Sequence, residues 1–291
     1  MRVGAPTHLE NGISPGVATP SHFIEQSYSR YTGRDHQTWK TLYSRMIPLW
    51  ERYANHRYLD GLARLQLNPE RIPRLDHVNR LLNPLTGFQA RPVSGYIPAF
   101  EFFDCLRNRT FPTTTRVRPP NHLDYFPEPD IFHDVAGHVP MHTDRAFAEV
   151  LVRFGECAHE AIRRRADPQV VASNIRAMAR FFWFTVEFGL MRTAEGIKAY
   201  GSGLLSSHGE LEYSVESRNV QRSSLQLEWA INQGFEIDHY QPLLFTVESF
   251  EELYEEVGRL IDWMREGRLD HVAPGEPEID ARDLKSFSAY A

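Results

Sequence analysis

The chain has 291 residues, 42% of them hydrophobic, with a formal net charge of −6, which allows one large domain or two small ones with a substantial core. The acidic balance argues against a nucleic-acid partner, because neutralising phosphates needs clustered Lys and Arg. The one locally basic run, "IRRRAD" (162–167), reads as a solvated helix end.

In chain order, residues 1–20 carry Gly, Pro, Ser and Thr without periodicity and are expected to form a loose tail. "HQTWKTLYSRMIPLWERY" (36–53) places Trp39, Leu42, Tyr43, Met46 and Trp50 on one helical stripe, which Pro48 is expected to kink or interrupt. "DRAFAEVLVRFGECAHEAI" (144–162) repeats Phe147, Val150, Leu151, Phe154, Cys157 and Ala158, with Asp144 as N-cap. A further helix is expected to open at Asp167-Pro168, and another at the capping box from Ser249 to Glu252. Strand-like runs are short, as in "QPLLFTVE" (241–248), and residues 272–291 read as a second loose tail. No linker and no repeat of 20–50 residues divides the chain. The expectation is a single domain over residues 21–271, mainly α with minor short β-strands.

Cys105 and Cys157 are too few for a disulfide framework and read as idle thiols. No apolar run approaches the roughly 20 residues that span a bilayer, and the first residues lack a signal-peptide pattern. A cytoplasmic protein without a membrane partner is expected.

The chemistry concentrates in "PDIFHDVAGHVPMH" (129–142) and "ARFFWFTVEFGLM" (179–191). In the second, Glu187 is the only acid of an aromatic and aliphatic run, and burying its charge demands a cation. An ion pair with Arg180 or Arg192 would be the plain solution. His133 and His138 suggest another, since two imidazoles and one carboxylate are the ligand set of the non-haem Fe(II) facial triad. Residues five apart diverge by about 140° on an α-helix, so this pair needs a deformed backbone such as a π-bulge. His138 and His142 instead have the spacing of zinc hydrolases, which keeps a hydrolytic zinc site as an alternative, beside a non-catalytic helical domain with a structural metal.

Five motifs in register, "TGFQARPVSGYIPAFEFF" (86–103), "EPDIFHDVAGHVP" (128–140), "WFTVEFGL" (183–190), "KAYGSGLLSSHGEL" (198–211) and "YQPLLFTVESF" (240–250), resemble the pterin-dependent aromatic amino acid hydroxylases, most closely their bacterial phenylalanine hydroxylase branch, over roughly residues 36–268. The resemblance implies a hydroxylase-like catalytic domain whose iron is held by His133, His138 and Glu187, with a tetrahydropterin as electron donor and dioxygen as co-substrate. It implies that Arg118 grips the substrate carboxylate, as suits a bidentate guanidinium. Pro127, Trp183 and Phe188 would wall the substrate ring, with Gly203 and Ser206 beneath it. Phe102 and Phe103 would stack the pterin, with Asp134 near that cofactor. Asp130 and Ser206 would orient a metal-bound imidazole.

Ser202, His142 and His208 stand where relatives more usually carry other residues, apolar or small ones at the first two positions. Ile237 occupies a position where tyrosine hydroxylases carry an acid, and tryptophan hydroxylases usually have Phe in place of Trp183. Both differences favour free L-phenylalanine, hydroxylated at the para position by family default. Meta-hydroxylation and tryptophan hydroxylation are the alternatives. With no room for the regulatory and tetramerisation segments of the animal enzymes, a monomer is expected.

Overall fold

The computed structural model of the protein describes residues 22–124, 128–237 and 239–290; the expected tail 1–20 and the pocket residue Pro127 lie outside them. In chain order the elements are α1 (Gly33–Tyr53), α2 (His56–Leu65), α3 (Leu75–Thr86), β1 (Gln89–Val93), α4 (Ala99–Arg107), β2 (Thr110–Thr114), a first π-helix (Phe132–His138), α5 (Arg145–Arg163), α6 (Pro168–Phe182), a second π-helix (Trp183–Glu187), β3 (Leu190–Thr193), β4 (Gly196–Ala199), α7 (Ser202–Leu205), α8 (His208–Glu216), β5 (Gln221–Ser224), α9 (Leu227–Asn232), β6 (Leu243–Val247), α10 (Phe250–Glu266) and α11 (Ala281–Ala289). The molecule is mainly helical. β1 and β2 pair in parallel, and a second sheet has the order β4-β3-β6-β5, with β4 antiparallel to β3 and the other pairs parallel.

The helices begin where side chains can satisfy their orphan amides. Asp144 accepts from Phe147 N at the start of α5, and Asp167 accepts from Gln169 N and Val170 N at the start of α6. Ser249 accepts from Glu252 N at 3.1 Å, but the Glu252 carboxylate turns to the amide of Glu248, so only half of the expected capping box forms. Pro48 does not interrupt α1. It lies on the exposed face, while Met46 and Trp50 on the buried face anchor both sides of the missing amide.

Buried apolar side chains form one continuous cluster, with α5 packed on α4, α6 and α10. Against it sits the first π-helix. Phe132 lies between Trp39 and Trp50, with ring centroids 5.3 and 6.3 Å away. The Tyr58 hydroxyl donates to Ala136 O at 2.7 Å, and Trp50 Nε1 donates to Leu205 O at 2.7 Å, tying α1 to α7. Gly61 of α2 lets the chain leaving this π-helix press on the helix backbone, since a Cβ there would lie 2.1 Å from Pro140 O.

The reading of residues 272–291 as a loose tail is corrected over 272–290. The fully buried Arg180 guanidinium donates to the carbonyls of Ala273, Pro274 and Glu276, which fixes the segment before α11. Asp280 caps α11, Phe287 is buried against Phe100, and Asp283 accepts from Ala99 N. Among the described residues, no helix is long and apolar enough to cross a membrane.

Gly61→Ala gains about 1 kcal/mol of helix propensity but drives a methyl into the Pro140 backbone. We expect net destabilisation of about 1–3 kcal/mol, the range for overpacked sites, measured by denaturant unfolding; a variant more stable than wild type would refute this contact.

Candidate metal centre

Each π-helix delivers candidate metal-ligand side chains. In the first, Val139 N bonds to Asp134 O, five residues back, and this wider turn brings His133 and His138 onto one side. Their Nε2 atoms are 3.2 Å apart and their ring planes nearly perpendicular, at 87°. In the second, Phe188 N bonds to Trp183 O, again five back, and Glu187 is swung toward the imidazoles. Glu187 Oε1 is 3.1 Å from His138 Nε2, and Oε2 is 3.6 Å from His133 Nε2. Neighbouring donors on an ion with bonds of about 2.1 Å at right angles lie roughly 3 Å apart, so the two imidazole nitrogens and the Glu187 carboxylate are spaced to share a metal with little rearrangement.

Electrostatics agree. Burial pushes the Glu187 carboxyl up, but the charges and hydrogen bonds of His138, His133 and Ser202 outweigh it and bring it to about 2. Burial holds the His133 imidazole down, to about 4. Near neutral pH the pair is therefore a carboxylate facing a neutral imidazole, the protonation state a divalent ion requires. The plain ion pairs are absent. Arg180 is spent on backbone carbonyls and Arg192 faces Glu248.

Asp134 also lies near the two histidines, the donor atoms of the three falling within 4.8 Å of one another. Its Oδ2 accepts the Thr114 amide at 2.5 Å, and burial raises its carboxyl to about 7 against the pull of His138 and that amide. Glu187 approaches closer and is the readily ionised acid, which makes it the better candidate for third ligand.

Two cavities flank the triad, and His133 and Glu187 line both. The first, about 370 Å³, is bounded among the described residues by Arg118, Trp183, Phe188, Gly203, Ser206 and Phe235. Trp183 is clamped between Phe188 and Phe235, with centroids 4.4 and 4.1 Å away. The second, about 750 Å³, is lined by Phe102, Phe111, Thr114, Asp134 and His138 with the 93–97 loop.

Most of the residues expected at the site line these two spaces, and several lie elsewhere than expected. Phe103 lines the first cavity rather than the second, because adjacent helix residues point about 100° apart. Asp130 does not touch an imidazole. It is fully buried, pairs with the Arg118 guanidinium through two bonds of 2.9 Å, and accepts the backbone amide of His133 at 3.0 Å. Burial raises its pKa, but the Arg118 charge and hydrogen bond dominate and hold it below the usual carboxylate range. Ser206 Oγ meets His133 Nδ1 at 2.8 Å. Ile237 is at the rim of the first cavity and 51% exposed. His142, the partner in the zinc alternative, is fully buried among Phe88, Phe111 and Phe147, with neither ring nitrogen hydrogen-bonded. Sequence reasoning missed Phe235, which lies in an aperiodic loop, and Tyr58, whose hydroxyl braces the first π-helix. It noted Ser202 only as a departure, yet the Ser202 hydroxyl is 2.8 Å from both His138 Nε2 and Glu187 Oε2.

A mainly helical domain with a two-histidine, one-carboxylate centre between two cavities defines the class of mononuclear non-haem metalloproteins. Residues 24–267 match the family described as biopterin-dependent aromatic amino acid hydroxylase, and the chain belongs to that family. It is 36% identical to phenylalanine-4-hydroxylase of Ralstonia nicotianae, covering 84% of this chain and 75% of the relative. It is 38% identical to that of Chromobacterium violaceum, covering 91% and 89%. Similar solved structures include several forms of C. violaceum phenylalanine hydroxylase. The cobalt-bound form has TM-score 0.79 and 34% identity, over 89% of this chain and 91% of that one. The form with iron(III) and 7,8-dihydrobiopterin has 0.77 and 34%, over 87% and 91%. The form with iron and phenylalanine has 0.76 and 33%, over 89% and 94%.

Two substitutions separate ligands from neighbours. Glu187→Ala is expected to lower divalent-metal affinity by more than about 100-fold, the upper end of what loss of a mere outer-shell partner does, whereas His142→Phe leaves affinity in place; chelator competition reads both. Burial keeps the His142 imidazole well below its ordinary 6.5, so below that pH the unfolded chain takes up a proton that the folded chain refuses, and stability falls as pH falls. His142→Phe removes that loss. Urea unfolding of the metal-free proteins at pH 7 and 5.5 should show the variant losing about 1.4 kcal/mol less than wild type, one proton over one pH unit.

Proposed function

We infer that the protein is an Fe(II)- and tetrahydropterin-dependent monooxygenase that converts free L-phenylalanine to tyrosine. The observation that carries this is the shared wall: one triad faces an aromatic cavity with a buried arginine on one side and a larger cavity with Phe102 and Asp134 on the other. The relatives named phenylalanine-4-hydroxylase, and the solved homologue holding iron with phenylalanine, support the substrate and the para position; the homologue holding iron with dihydrobiopterin supports the cofactors.

When bound, iron and tetrahydropterin supply the activation of dioxygen, one oxygen atom going to the ring and the other to the pterin, which gives up two electrons. The chain supplies placement. Arg118, fixed in orientation by Asp130, offers its cation to the substrate carboxylate. Trp183 and Phe188 wall the space beside the triad that the substrate ring would enter. Phe102 gives the pterin a stacking surface, and Asp134 a polar partner, on the opposite side. Two reactants held beside one centre gain the rate advantage of proximity. His142, sealed in apolar packing, offers no second ligand pair for a hydrolytic zinc.

Metal-free protein loaded with Fe(II) and supplied with tetrahydrobiopterin, air and each aromatic amino acid in turn is expected to yield para-tyrosine from phenylalanine as the main product by chromatography. Meta-tyrosine, or hydroxylation of tryptophan in preference, would overturn the reading. Trp183→Phe, by opening the first cavity, is expected to raise the ratio of tryptophan to phenylalanine kcat/KM.

A further inference from the structure

Ser202, the first residue of α7, is 2% exposed, and the function proposed above gives it no part. Its hydroxyl lies 2.8 Å from His138 Nε2 and 2.8 Å from Glu187 Oε2, with a more distant carbonyl, Val186 O, at 3.4 Å. Its own carbonyl accepts the Ser206 hydroxyl at 2.8 Å, and Ser206 Oγ meets His133 Nδ1 at 2.8 Å. One residue thus reaches all three members of the triad, two through its side chain and the third through a neighbouring serine.

The proton bookkeeping at these atoms has one consistent solution once Nε2 of both histidines faces an ion. His133 then carries its proton on Nδ1 and donates it to Ser206 Oγ, whose own O–H donates to Ser202 O. His138 Nε2, with its lone pair engaged, can no longer accept from Ser202. The Ser202 O–H is left one close acceptor, Glu187 Oε2, and a hydroxyl donating to a carboxylate is a charge-assisted bond. The two carboxylate oxygens already differ in place: Oε1 is 3.1 Å from the nearest ligand nitrogen, whereas Oε2, the atom beside Ser202, is 3.6 Å from the other.

We propose that Ser202 is a positioning residue of the metal centre, its hydroxyl holding Glu187 Oε2 so that the carboxylate binds the ion through Oε1 alone. Without the hydroxyl, Oε2 would be free to turn toward the ion as a second ligand atom. A methyl group makes no such bond, and Ser202 together with Ser206, the residue that follows α7, bears on the orientation of both acid and imidazole. The inference rests on the reading that the triad holds a metal.

The test uses Co(II), added to metal-free wild type and Ser202→Ala, with chelator competition for affinity and visible absorption for coordination geometry. Ser→Ala removes a single atom at the start of a helix and keeps its volume. The expected result is Co(II) affinity lowered about 10- to 100-fold, as for other outer-shell partners, with the ligand-field bands shifted as the carboxylate takes up the ion through both oxygens. Unchanged affinity and unchanged bands in Ser202→Ala would overturn the proposal. So would weaker binding with bands showing one ligand fewer than wild type, the signature of Ser202 as a direct ligand. Failure of wild type itself to bind Co(II) would overturn the metal reading as well, which separates the two failures.

Discussion

A carboxylate withdrawn from water needs cations or hydrogen-bond donors around it, and Glu187 is placed where neither Arg180 nor Arg192 can serve. What meets it are two imidazoles and a serine hydroxyl. That arrangement exists because the backbone gives up α-helical regularity twice, once on each side of the centre. An α-helix would turn His133 and His138 away from each other, and a regular continuation of α6 would leave Glu187 on a different face from the one it now presents. Wider i→i+5 turns solve both problems, and such turns are rare outside functional sites. Their irregularity is offset by packing: Tyr58, Trp39 and Trp50 brace the first π-helix, and the aromatic run around Phe184 braces the second.

The same economy links the metal ligands to the first cavity. Asp130 is buried with its charge matched by the Arg118 fork, and its remaining reach is used on the His133 amide. A movement of Arg118 therefore moves the carboxylate that sets the start of the first π-helix. Breaking such a buried pair strands a charge at a cost of about 3–5 kcal/mol, so the arginine and the ligand keep a fixed separation. In the function proposed above, that fixed separation between Arg118 and the triad would hold a substrate in one orientation.

Much of this was legible in the sequence where local chemistry decides. Asp144, Asp167 and Ser249 announced their helices because capping is a contact within one turn, and the five-residue histidine spacing announced a deformed helix. Glu187 stood out as an acid in an apolar run. What stayed hidden depends on direction rather than on residue type. Phe102 and Phe103 are adjacent, yet one faces each cavity. Asp130 is close to His133 in the chain, yet meets its amide and not its ring. The segment 272–290 looked loose because its Pro, Gly and acids mask four scattered apolar anchors, Val272, Ile279, Leu284 and Phe287, and because the arginine that holds it belongs to α6. Pro48 misled for the opposite reason, since tertiary packing on one helix face outweighed a local breaker on the other.

The two sequence features that favoured phenylalanine do not carry equal weight once their surroundings are known. Ile237 is half exposed at the cavity rim, so a tyrosine hydroxyl arriving there would still meet water and lose little. Discrimination of that kind is weak, because a substrate group is costly only when it is stripped of partners. Trp183 is different. Its indole is stacked on Phe235 within 6° of parallel and covered on the other side by Phe188, so it cannot rotate away without breaking two aromatic contacts worth about 0.5–1.5 kcal/mol each. Behind Phe188, Gly203 leaves no slack, since even a Cβ there would approach that ring to 2.8 Å. The size of ring that the first cavity can admit is therefore set by the rigidity of Trp183 more than by the rim.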